Sequence, residues 1–124
     1  MSKDAQHAES IEIVLNGVAY TVRLNGTEAA RELAQSAPFR TSLSQNAGNH
    51  YWGSLPHRLS TLEEAGTSVP REGRVYYADH LTAIAFYFED SRSIAPYVLY
   101  PLGDITDDLS ALRTAGNWIK LQVS

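Results

Sequence analysis

The sequence predicts a mainly β domain, a closed barrel of about eight strands with two flanking helices. Three observations carry that expectation. Short segments of alternating polarity recur at the ~8–12-residue spacing of barrels and sandwiches. Neither helical stretch stands between regularly repeating strands, so the βαβ rhythm of a parallel sheet is missing. The 124 residues, 44% of them hydrophobic, suffice for one core at the usual length of one domain. Closure also removes the exposed sheet edges that a chain of many short strands would otherwise have to protect.

The polar residues 1–8 read as a flexible tail, and residues 9–124 as the single domain. Ile11, Ile13 and Leu15 alternate with Glu12 and Val14, the period of a half-buried strand. Asn16-Gly17 is the strongest short hairpin signal, because both turn residues must take positive φ. A two-residue turn pairs Leu15 with Val18, Ile13 with Tyr20 and Ile11 with Val22, which puts all six on one face. A helix follows, with Asn25 as its cap and Glu28 completing a capping box; Ala30, Leu33, Ala34 and Ala37 recur along it and Pro38 stops it. Further strands are expected over residues 39–44, 51–55, 74–79, 82–88, 97–102 and 118–123. Ser60 and Glu63 suggest a short helical turn closed at Gly66. Asp104 reads as the cap of a second helix carrying Ile105, Leu109 and Leu112 inward and ending at Gly116.

Composition narrows the function. The chain has no cysteine, which excludes disulfides, thiolate catalysis and thiolate metal sites. A net charge of −4 and the lack of a basic stripe argue against a nucleic-acid partner. No apolar run reaches the ~20 residues of a membrane helix, and the polar start is unlike a signal peptide, so a cytoplasmic location is expected and no membrane partner. His50, His57 and His80 lie in different segments without a paired ligand spacing. No Gly-rich phosphate loop is present, and no cofactor is expected.

Several short motifs carry a likeness. Leu55-Pro56-His57-Arg58-Leu59, Gly73-Arg74-Val75-Tyr76-Tyr77, the apolar 83–88 segment and Leu102-Gly103-Asp104-Ile105 follow the opening hairpin and helix in order. Together they resemble the bacterial cyclophilin-like proteins of uncharacterised role, over residues 9–123. The resemblance implies a small closed barrel with a helix at each open end. It does not by itself imply an activity.

True cyclophilins are prolyl isomerases, whose catalytic arginine follows a Phe-His and precedes a Gln-Gly-Gly-Asp segment. By this resemblance Arg58 takes the arginine's place, but residues 59–64 hold neither the glutamine nor the glycine pair. The isomerase reading is therefore the alternative. The preferred reading is a non-catalytic module that binds a peptide or small ligand in an outer groove built from Tyr51, Trp52, His57 and Arg58. Arg58 would supply a charged fork and the aromatic rings would supply area. Against both stands a plainer reading, in which Arg58 bridges a loop to a carboxylate and the outward aromatics pack under the 66–70 loop or a helix. The same outward aromatics would also suit a homodimer face.

Overall fold

The computed structural model describes residues 9–61 and 65–124. The expected tail, and the centre of the helical turn expected between Ser60 and Gly66, lie outside the described residues. The strands are β1 (Ser10–Leu15), β2 (Val18–Leu24), β3 (Phe39–Asn46), β4 (His50–Ser54), β5 (Arg74–Ala78), β6 (Ala83–Tyr87), β7 (Tyr100–Ile105) and β8 (Trp118–Val123). One helix, α1 (Glu28–Gln35), follows β2. The strands close into a barrel in the order β1-β2-β7-β5-β6-β4-β3-β8, with β8 returning to β1 and every pair antiparallel.

The opening hairpin has the expected register, Leu15 opposite Val18, Ile13 opposite Tyr20 and Ile11 opposite Val22. Asn16 and Gly17 take φ of 52° and 82°, the double left-handed turn that suits the twist of the two strands. The cap of α1 differs from expectation. Thr27 accepts from the Ala30 amide, while Asn25 sits two residues back and accepts from both the Thr27 amide and its hydroxyl. Asn25 also donates to the Pro101 carbonyl at 2.8 Å, tying the helix entry to β7. The helix adds Ala29, Ala30 and Leu33 to the barrel interior.

The second helix does not form. Gly103, Asp104 and Ile105 belong to β7, which pairs with β2 on one side and β5 on the other and so completes the barrel. The Asp104 carboxylate pairs with Arg74 across the sheet at 2.9 Å and does not cap a helix. Only a 3-10 turn, Ser110–Thr114, remains of the expected helix, although Leu109 and Leu112 are buried as anticipated. Closure requires a strand between β2 and β5, and that long-range pairing outweighs the local capping signals. β7 therefore begins three residues later than its pattern suggested. A bulge beside Pro101 takes up the register.

β5 and β6 are buried on both faces, apart from Arg74 at the start of β5. Their inward residues, Val75, Tyr77, Ile84 and Phe86, fill the barrel. Their outward residues, Tyr76, Ala78, Ala83, Ala85 and Tyr87, form a second apolar layer with Leu99. That second layer positions the site.

Candidate functional site

Strand alternation places His50 and Trp52 on the outer face of β4, beside Ala83, Ala85 and Tyr87 of β6. The register confirms the adjacency, with His50 opposite Tyr87 and Trp52 opposite Ala85. Ala78 extends the same face on β5, opposite Ala83. Three alanines in succession leave the sheet surface low. Around this floor stand larger side chains. His50, Trp52 and Tyr87 rise from the sheet, while Ile94, Tyr97 and Leu99 arrive on the 94–99 segment. That segment is held down by paired backbone bonds between Thr67 and Leu99, both at 2.8 Å, and by Ile94 N donating to Ser68 O at 2.7 Å. The result is a cleft of about 230 Å³ on the outside of the barrel. At its rim the His80 and Tyr97 rings stack with centroids 5.1 Å apart.

Two polar groups in this apolar lining are chemically distinctive. The His50 ring lies against Tyr87, 4.4 Å between centroids and 12° from parallel. Its Nδ1 is 2.7 Å from Asn49 Oδ1, and because that oxygen only accepts, the pairing assigns the proton to Nδ1 and leaves Nε2 as an acceptor. Burial lowers the His50 pKa to about 4, so the ring is neutral near pH 7. Burial, with a smaller contribution from Tyr76, pushes Tyr87 up to about 12 and keeps its phenol protonated. Tyr87 is only 3% exposed, yet among the described residues nothing hydrogen-bonds to its hydroxyl. The neighbouring Tyr76 hydroxyl, by contrast, accepts from the Arg71 amide at 3.0 Å.

The four residues expected to form one groove are not brought together. Trp52 lines the cleft. Tyr51 points the other way, into the barrel, with 0% exposure; its hydroxyl bonds to the Leu112 and Gly116 carbonyls and accepts from Gln45. His57 is exposed on the loop after β4 and does not line the cleft. Arg58 is also outside it, paired with Asp79 at 2.8 Å and 70% exposed. Tyr77 completes that network from inside, donating to Asp79 and accepting from the Leu59 amide. The Tyr77 hydrogen bond, then Arg58, hold the Asp79 carboxyl below its usual range. This matches the plainer reading of Arg58 as a loop-to-carboxylate bridge, and the outward aromatics do pack under the segments around residues 67 and 94–99.

Sequence reasoning missed His50 and Tyr87 as site residues. The available signal was the 83–87 strand, where one face reads Ala-x-Ala-x-Tyr beside the larger residues of β4. A larger hollow of about 500 Å³ lies on the outer face of β1, β8 and β3. Its walls include the exposed Arg40, Lys120 and Gln122, which are solvated and not preorganised. Among the described residues no group of three or more His, Asp or Glu side chains converges as a metal site.

The closed eight-stranded antiparallel barrel is consistent with a cyclophilin-like fold. The chain belongs to the cyclophilin-like family, whose family model matches residues 13–124. It is similar to the solution structure of the hypothetical protein AF2241 from Archaeoglobus fulgidus, with a TM-score of 0.75, 16% identity and 94% of each chain covered. At that identity the likeness speaks to the fold alone. Comparison with curated proteins gave no match, and among the described residues no helix is long and apolar enough to cross a membrane.

Proposed function

We propose that this protein is a non-catalytic module that binds a small molecule in the cleft on the outer face of β4, β5 and β6. The observation that carries the reading is Tyr87, a 3% exposed residue of the cleft lining whose hydroxyl has no hydrogen-bond partner among the described residues. A buried hydroxyl without a hydrogen bond costs about 1–3 kcal/mol, and a ligand that accepts from it recovers that cost. Catalysis has less support, because among the described residues the lining offers no carboxylate, serine or lysine to act with His50.

A fragment screen by NMR on the ¹⁵N-labelled protein tests the proposal. Binders should shift the amides of His50, Trp52, Tyr87 and Tyr97. Ala85→Leu, which fills the floor from outside the barrel, should abolish those shifts while leaving the rest of the spectrum in place. Hits that bind Ala85→Leu equally well, or that map elsewhere, would remove the cleft as the site. Arg58→Ala separates this from prolyl isomerisation. It should leave fragment binding unchanged, and Xaa-Pro exchange should stay at background with either protein.

A further inference from the structure

The size of the cleft limits what it can hold. A cavity of ~150 Å³ admits a benzene ring, whereas drug-sized ligands occupy roughly 300–1,000 Å³. At about 230 Å³ the present cleft has room for one substituted ring. Its floor is formed by the small side chains of Ala78 and Ala85, with Ala83 fully covered between them. Trp52 and the parallel His50–Tyr87 pair add planar surfaces.

Charge limits it further. Among the described residues no Asp, Glu, Lys or Arg lines the cleft. A carboxylate or ammonium entering it would lose water and meet no opposite charge, a transfer that is strongly unfavourable. Asn46 and His80 also line the cleft, and the adjacent pair His50 and Tyr87 on its sheet wall sets the hydrogen-bonding requirement. With its proton on Nδ1, His50 presents Nε2 as an acceptor, and Tyr87 presents an O–H donor. Both side chains line the cleft and stand side by side in the sheet.

We infer that the cleft selects an uncharged, single-ring planar molecule bearing a hydrogen-bond donor and an acceptor on one edge, as a carboxamide does. The donor of the ligand meets His50 Nε2 and its acceptor meets the Tyr87 hydroxyl. This inference rests on the cleft being a ligand site, and it adds the chemical class of the ligand.

Three isosteres test it at pH 7: benzamide is neutral, benzoate is an anion and benzamidinium is a cation, all of nearly one shape. Titrated into the ¹⁵N-labelled full chain, benzamide should shift His50, Trp52, Ala85 and Tyr87 saturably. Benzoate and benzamidinium should bind there at least about ten-fold more weakly, since neither finds a counter-charge. Tyr87→Phe keeps the ring stack and should weaken benzamide about five-fold, the loss of one hydrogen bond, without weakening toluene. The unshifted remainder of the Tyr87→Phe spectrum reports that the barrel is intact. Benzoate or benzamidinium binding the cleft as tightly as benzamide would overturn the ligand class while leaving the cleft a ligand site. So would silence of benzamide at the cleft when fragments of another class bind there. Silence of every compound at the cleft would overturn both readings.

Discussion

Replacing Tyr51 with phenylalanine removes one oxygen atom from the barrel interior and leaves the ring, so no cavity opens. That oxygen joins three elements. It lies against the Gly116 carbonyl and 3.2 Å from the Leu112 carbonyl, and it accepts from Gln45 Nε2 at 3.1 Å. A phenol has one proton, so at any moment it donates to one of the two carbonyls and accepts from Gln45. Two hydrogen bonds, each worth about 0.5–1.5 kcal/mol net, are therefore at stake. Gln45 Nε2 already lies 3.5 Å from the Gly116 carbonyl and recovers part of the loss. The expected destabilisation is about 1–2 kcal/mol. Urea unfolding should show it as a lower midpoint with an unchanged slope. Fragment binding should be unaffected, because the side chain faces away from the cleft. A loss below about 0.3 kcal/mol would mean that the hydroxyl does not pin the 110–116 segment to the barrel. Weakened fragment binding would return Tyr51 to the site.

Three further outcomes follow from the same packing. Phe86, 2% exposed and set between Tyr51 and Val75, should cost about 3–5 kcal/mol as Phe86→Ala in denaturant unfolding; a loss under about 1 kcal/mol would place it outside the core. A Cβ on Gly103 would sit 2.3 Å from the Arg23 carbonyl oxygen, backbone against backbone, so Gly103→Ala should cost about 3 kcal/mol or more in a thermal melt, and a near-neutral result would contradict the close approach of β2 and β7. The folded pKa of His50, about 4, lies below its ordinary 6.5. Between those values the unfolded chain binds more protons, so stability should fall as pH drops from 6.5 to 4. At about 1.4 kcal/mol per pKa unit the effect is capped near 3 kcal/mol, and solvent contact of the half-buried ring reduces it to about 1–2 kcal/mol. His50→Phe keeps the stack on Tyr87 and should flatten that part of the profile; a fall in urea-unfolding stability from pH 6.5 to 4 that is equal in both proteins would refute the assignment. Asp79, whose carboxyl is held low, loses its contribution only at more acid pH and does not mask the effect.

The parts of the fold legible in the sequence are those decided locally. The Asn16-Gly17 turn and the alternation around it specify one register, and the structure has that register. The apolar run at 82–88 reads as a strand, and β6 lies within it. The segment after residue 100 was misread because Asp104, Leu109, Leu112 and Gly116 form a consistent local helix pattern. Its true partners, Arg23 and Arg74, are 81 and 30 residues away in sequence. The site was legible only in part, for a related reason. Alternation says that Tyr51 and Trp52 face opposite ways but not which of them faces out. That is decided by what covers each face, the 110–116 turn for Tyr51 and the 94–99 segment for Trp52. Arg58 and Trp52 are close in sequence, yet the partner of Arg58 is Asp79, at the turn after β5. His50 carried no paired ligand spacing, and its significance comes from Asn49 on one side and Tyr87 across the sheet.

The central claim is that ligands rest on the alanine floor of β5 and β6, away from Arg58. The most direct measurement uses protein labelled with ¹³C at alanine methyl groups, mixed with the tightest hit of the fragment screen, and records intermolecular NOEs. Contacts from ligand ring protons to the methyls of Ala78 and Ala85, with none to the interior Ala29 and Ala30, are the predicted result. A bound ligand that gives no NOE to these two floor methyls, and instead perturbs the Arg58 guanidinium and Asp79, would contradict the account.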